Sequence, residues 1–316
     1  GMAASISASP VEVGFGTLRL GGNLQAAYGY TQDKKWSFAV KRARLIFNGE
    51  LPEQRIKYLV QLEALVSPAL LDARIQAPGY LPKTDIFLGR FLPAFSFYMP
   101  RSSAALEMVN YPIISNNKIN KYAMGRQVGV QTTTRLEPVE LNLGLFNGYP
   151  SDNYGDNNNG KDLLVSASAK PVDFLQILGY LWLGNSVLKG DQDTLKNRFG
   201  GGVNLERKLG DGMLLIVRSE VIAGQDRLPL SGGVVKSAGY YVHLGFRPHQ
   251  KFEALARWDK FDTERFDDGI GWLTLGANYY LSGTNAMLYA NYIHKTMELP
   301  GAPRNDEFVM QVQLSF

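Results

Sequence analysis

The chain has 316 residues, with 33 basic against 29 acidic side chains, a formal charge of +4 and no cysteine. Its 45% apolar content, with 16 tyrosines and 16 phenylalanines, excludes a disordered chain, and the missing cysteine excludes a disulfide scaffold or a thiolate metal site. No run of about 18 apolar residues exists for a membrane-spanning helix, and the scattered charge leaves no nucleic-acid footprint.

Residues 1–16 form an N-terminal segment in which Gly1 before Met2 reads as a cloning remnant, so a native leader is expected to have been removed. From Thr17 to Phe316 one rhythm holds, which predicts a single domain. Segments of about 10 to 14 residues alternate apolar and polar and break at Gly, Pro, Asn or Asp. In 17–30, Leu18, Leu20, Leu24 and Tyr28 share one face while Arg19, Asn23 and Gln25 share the other. Segment 36–50 sets Ala43, Leu45 and Phe47 against Arg42, Arg44 and Asn48, and 56–66 sets Tyr58, Val60 and Leu62 against Lys57, Gln61 and Glu63. Then come 69–77, 84–92, 126–136, 138–147, 162–170, 173–184, 197–207, 212–223, 235–247, 251–261, 271–281, 286–296 and 306–316.

The breaks between these segments alternate in length. Short ones such as Leu51-Pro52-Glu53-Gln54 and Ser282-Gly283-Thr284 switch with long polar ones near 148–161, 185–196, 224–234 and 262–270. About sixteen strands with short turns on one side and long loops on the other predict an all-β fold, a transmembrane antiparallel β-barrel. A barrel of that size has a lumen too wide for side chains to fill, so its apolar face must point outward to lipid and its polar face inward to water. Aromatics near strand ends (Tyr28, Tyr30, Trp36, Tyr98, Tyr149, Trp258, Tyr279, Tyr280 and Tyr292) are expected to form the interfacial belts.

This register turns Arg19, Arg42, Arg44, Lys57, Arg74, Arg135, Arg198, Arg218, Arg247, Arg257 and Lys295 inward. Glu63, Asp72, Glu140, Glu206, Glu220, Glu253 and Asp259 turn inward with them. Fixed positive charge in a narrow aqueous path attracts anions, and the guanidinium fork matches two oxygens of a phosphate or carboxylate. Pore-lining and anion-selecting roles are therefore expected for Arg19, Arg42, Arg44, Lys57, Arg74, Arg135, Arg218 and Arg257. Pairs such as Arg218 with Glu220 or Arg257 with Asp259 would offset part of that charge.

The run Lys41-Arg42-Ala43-Arg44-Leu45-Ile46-Phe47-Asn48-Gly49, followed by a turn and Lys57-Tyr58, resembles the second-strand signature of the phosphate-selective porins O and P. Leu70-Leu71-Asp72-Ala73, Phe87-Leu88-Gly89-Arg90-Phe91 and Gly125-Arg126-Gln127-Val128-Gly129-Val130 follow in that family's order. The closing Val309-Met310-Gln311-Val312-Gln313-Leu314-Ser315-Phe316 resembles the assembly signal of Gram-negative outer-membrane barrels. The resemblance implies a 16-stranded homotrimeric porin in outer-membrane lipid and lipopolysaccharide, passing small polar or anionic solutes without a cofactor. It also implies a long third loop, here 92–125, folded toward the lumen as a constriction with Arg101, Lys118 and Lys121 on it. The subfamily's lysine cluster on the fifth loop is not matched, since 184–196 offers only Lys189 and Lys196 among Asp191 and Asp193.

Enzyme chemistry is not expected. His243, His249 and His294 lack metal-ligand spacing and no nucleophile motif accompanies them. The Asp152–Asp162 stretch lacks the downstream glutamate of a calcium loop, and Gly200-Gly201-Gly202 lies inside a strand, where glycine eases curvature. The rival expectation is a structural or interaction barrel, an adhesin or a sheath around a partner protein.

Overall fold

The computed structural model describes residues 10–14, 16–31, 35–65, 70–116, 124–148, 154–156, 160–188, 192–227, 233–264, 269–297 and 306–316. Its strands in chain order are β1 (Val11–Val13), β2 (Gly16–Thr31), β3 (Lys35–Leu51), β4 (Ile56–Glu63), β5 (Leu70–Leu81) and β6 (Thr84–Phe91). Next are β7 (Gln127–Leu136), β8 (Val139–Phe146), β9 (Asp162–Val172), β10 (Leu175–Leu183), β11 (Asn185–Leu188) and β12 (Gln192–Lys208). The last are β13 (Leu214–Arg227), β14 (Val234–His249), β15 (Phe252–Thr263), β16 (Ile270–Ser282), β17 (Ala286–Met297) and β18 (Glu307–Ser315).

Each barrel strand pairs antiparallel with the next, and β18 closes on β2 in the register Glu307↔Thr31 to Ser315↔Asn23. Sixteen strands make the wall, as the alternation predicts. The two extra ones are short. Strand β1 lies on β2, and β11 folds back on β12, so the long break expected over 185–196 contains the arm of a hairpin. Closure leaves no unpaired edge in the ring, the condition for a sheet to sit in hydrocarbon.

The two faces have opposite polarity. Along β18, Met310, Val312 and Leu314 are 42–48% exposed on the outside, while Gln311 and Gln313 between them are 3% and 0% exposed on the inside. The same inversion recurs at Leu143 and Asn142 on β8, and at Val221 and Glu220 on β13. An outward apolar surface of this extent is stable against lipid and not against water.

Strand β3 keeps that polarity only through a bulge. Gln25 pairs with Arg42 but Ala26 with Val40, so Lys41 is an extra residue. Before it, Trp36, Phe38 and Val40 face outward; after it, Leu45 and Phe47 do, and Arg42 and Arg44 stay inside. Tyr28 stacks on Trp36 and packs on Phe38, which builds one part of the expected aromatic belt. Trp258, Tyr279 and Tyr292 also face outward. Tyr98 and Tyr280 do not belong to the belt: both are buried within the barrel, Tyr280 with its hydroxyl on Glu253. Tyr149 lies outside the described residues.

Candidate functional site

Between β6 and β7 the chain turns into the barrel. Of the described residues in this stretch, 92–116 and 124–126, the first run carries two single 3-10 turns, Ser103–Ala105 and Ile113–Ser115. It buries Phe95, Tyr98, Met99, Leu106, Met108, Val109, Ile113 and Ile114 against the inner wall. A backbone with so little regular structure has few internal partners, and buried peptide groups must find them elsewhere. They find them on inward side chains of strand after strand.

Ala94 donates from its backbone to Gln131 Oε1 at 2.9 Å, and Ser166 donates to the Ala94 carbonyl at 2.7 Å. Phe97 donates to Glu220 Oε1 at 2.7 Å, and Ile113 to Asp259 Oδ1 at 3.1 Å. Val109 donates to Asn291 at 3.0 Å, while Asn278, Tyr289 and Gln313 donate to the carbonyls of Glu107, Leu106 and Ala104. Gln25 reaches the Ser103 carbonyl, and Arg44 the Ser103 hydroxyl at 2.7 Å. The segment is thus tied to β7, β9, β13, β15–β18, β2 and β3, and these bonds leave out the wall β4–β6.

Two buried arginines lock it. Arg218 lies between Glu107, at 2.7 Å, and Glu206, at 2.6 Å, with its side chain 2% exposed. Arg257 pairs with Asp259 at 2.7 Å and donates to the carbonyls of Asn110 and Tyr111. Two of the three consecutive glycines serve the same end. A side chain at Gly200 would strike the Tyr180 ring, and one at Gly202 would strike Glu220. These are the two wall residues that Phe95 packs on and Phe97 donates to. On the β6–β10 side, Phe91, Phe95, Phe146 and Trp182 pack ring on ring and fill the space above Tyr180.

A cavity of about 680 Å³ lies between this segment and the wall β3–β6. Arg42, Arg44, Arg74 and Arg90 line it from the wall, Arg101 and Arg126 from the inward segment and its end, and Lys41 joins them from the bulge. Glu63 and Asp72 are the carboxylates on the same lining, so seven cations less two anions leave a net +5. Glu63 pairs with Arg44 at 2.9 Å and Asp72 with Arg126 at 3.0 Å. Arg42 donates to Gln25, and Arg74 lies over the Phe87 ring at 5.3 Å.

The sequence-predicted residues thus divide. Arg42, Arg44, Arg74 and Arg101 come together at this cavity. Arg19 and Lys57 sit at the end of the wall where the short turns lie, exposed and on the inward parity beside Asn48 and Glu50. Arg135 sits at that end too, with its half-exposed side chain on Asp85 at 2.9 Å and Glu140 at 3.4 Å. Arg218 and Arg257 correct the pore-lining expectation, because the inward segment covers both and their charge is spent holding it. Arg218 also pairs with Glu107 and Glu206 rather than with Glu220, whereas Arg257 and Asp259 pair as expected. Lys118 and Lys121 lie outside the described residues.

Three lining cations were not foreseen as site residues. Lys41 is lost to simple alternation because it is the bulge. Arg126 sits at the segment's return to β7. Arg90 shares the parity of outward Leu88, but Gly89 before it has φ +121° and passes so close to the Ala73 carbonyl that a side chain could not fit. A charged residue on a lipid parity next to a glycine was the available signal.

Comparison with known proteins gives the same architecture. No protein-family model and no curated protein sequence matches the chain. Solved structures do match. An anion-selective porin from Comamonas acidovorans superposes with a TM-score of 0.71 at 13% identity, covering 95% of this chain and all of that one. The fold is that of a porin. OmpF of Salmonella typhi, in complex with daunomycin, gives 0.69 at 10% identity over 97% of this chain and 100% of its own. The trimer form of OmpT, an outer membrane protein of Vibrio cholerae, gives 0.66 at 12% identity over 96% and 100%.

Proposed function

We propose that this chain is an outer-membrane porin that passes small hydrophilic solutes by passive diffusion and prefers anions, phosphate-like or carboxylate. The net +5 lining of the cavity beside the inward segment carries this reading. Fixed guanidinium charge in a narrowed aqueous path raises the local concentration of anions and lowers that of cations. The two carboxylates on the lining temper the preference, so it is partial. The Comamonas acidovorans structure, itself of an anion-selective porin, supports the reading, and the Vibrio cholerae trimer supports a homotrimer. The apolar outer surface supports a bed of outer-membrane lipid, with lipopolysaccharide at the long-loop side. The family of phosphate-selective porins O and P is the finer assignment that the second-strand motif favours.

A sheath around a partner protein would need a clear lumen, and segment 92–116 runs through it. Planar-bilayer recording in a potassium chloride gradient tests the proposal. Discrete conductance steps with a reversal potential of anion-preferring sign are expected; a cation-preferring channel, or none, overturns it.

A further inference from the structure

The lining of the large cavity has a second property that charge selection does not use. Leu59 points inward from β4 in register with Arg74, and Leu71 is the extra residue of a bulge on β5 beside Asp72. Leu92 follows β6, and Tyr111 faces the same space with its hydroxyl tied to the Arg101 carbonyl at 2.9 Å. All four side chains are half-buried, so each still shows apolar surface to the cavity. The positions beside them carry Gln61, Glu63, Asp72 and Arg74, which are ordinary for a water-filled lumen.

A small hydrated inorganic ion gains nothing from leucine. An anion with an apolar body gains twice: its carboxylate meets a guanidinium fork while its body leaves water against Leu59, Leu71, Leu92 and Tyr111. Guanidinium planes also accept an aromatic ring by cation–π contact, as Arg74 already does with Phe87 at 5.3 Å. A volume of about 680 Å³ suits a small organic molecule with water around it.

We infer that the cavity is a subsite for monocarboxylates on a flat or short apolar body, of about the size of benzoate. The inference rests on the anion-passage reading and names its substrate class. The test uses purified protein in planar bilayers, with potassium chloride on one side and potassium benzoate or potassium glycerate on the other. Size alone ranks glycerate, the smaller ion, ahead. The subsite reverses the order, so the benzoate-to-glycerate permeability ratio of the wild type is above one. Leu59→Gln lowers that ratio about fivefold, and Leu71→Gln lowers it in the same direction.

An anion-preferring wild type with a ratio below one overturns this inference and leaves the porin reading standing. So does a ratio that neither substitution moves. A wild type without anion preference in potassium chloride overturns the porin reading itself and this inference with it. The wild-type ratio decides the matter even if a variant fails to fold.

Discussion

Removing Arg42 and Arg74 together isolates the charge that selects. Both line the cavity; Arg42 donates to the Gln25 amide, Arg74 lies over the Phe87 ring, and neither is in an ion pair among the described residues. Arg44 and Arg126, by contrast, are held on Glu63 and Asp72. An ion roughly 7 Å from one guanidinium interacts with it by about 0.6 kcal/mol at an effective dielectric near 80. At 0.1 M salt, screening over about 10 Å halves that to about 0.3 kcal/mol. Loss of both arginines therefore weakens an anion by about 0.6 kcal/mol and relieves a cation by the same, a drop of about sevenfold in their permeability ratio. At 1 M salt the screening length is about 3 Å and the drop shrinks to about 1.5-fold. Reversal potentials of wild type and Arg42→Ala/Arg74→Ala, recorded at both mean salt concentrations, measure it directly. An unchanged ratio at 0.1 M, or a change that salt does not weaken, would refute the argument that these two side chains set the field.

Glu63→Gln, which frees Arg44, raises the anion preference about threefold at 0.1 M salt in the same recording. Leu143→Arg, on the outward face of β8, costs about 2–4 kcal/mol in bilayer refolding titrations, and Asn142→Arg on the inward face costs less. Arg218→Leu leaves Glu107 without its buried partner and destabilises the inward segment by about 3–5 kcal/mol, seen as noisier and larger single-channel conductance. Burial alone would raise the Glu107 carboxyl, but the Arg218 and Arg101 charges outweigh it and hold it below the usual carboxylate range. Its contribution to anchoring is therefore complete above that range and is lost only as pH falls through the lowered value, so conductance noise rises in acid and not near neutrality. Deleting Phe316 removes the backbone pair with Gly22, at 2.9 and 3.1 Å, and the ring seated against that glycine, and lowers surface levels more than Ser315→Ala does.

The barrel was legible because a two-residue period, repeated along the chain, leaves lipid and water no other arrangement. Strand limits followed from the same turn residues, down to the Leu51-Pro52 and Ser282-Gly283 corners. Register failed to carry where a single residue breaks the period. Lys41 and Leu71 are bulges, and after Gly89 the backbone departs from the alternation that would have sent Arg90 to lipid. The expected belt residues Tyr98 and Tyr280 show the other limit: composition says that tyrosine favours a boundary, but not which one.

The fate of each inward charge depended on something the alternation does not encode, the path of 92–116. Arg42 and Arg257 occupy equivalent parities and each has a second charge two residues on, Arg44 and Asp259. One lines a cavity and the other is sealed beneath backbone. The walls themselves differ, however, in a way that can be read. Strands β15–β18 turn Asp259, Asn278, Asn291, Gln311 and Gln313 inward, and most of these meet the segment's peptide groups. Strands β3–β5 turn Arg42, Arg44 and Arg74 inward, which can serve backbone carbonyls but no peptide N–H, and the carboxylates beside them, Glu63 and Asp72, are held by Arg44 and Arg126. A folded-in segment with as many N–H groups as carbonyls must lie against the wall that can receive both. It therefore settles on the amide- and carboxylate-bearing side, and the guanidinium-rich wall is left facing water.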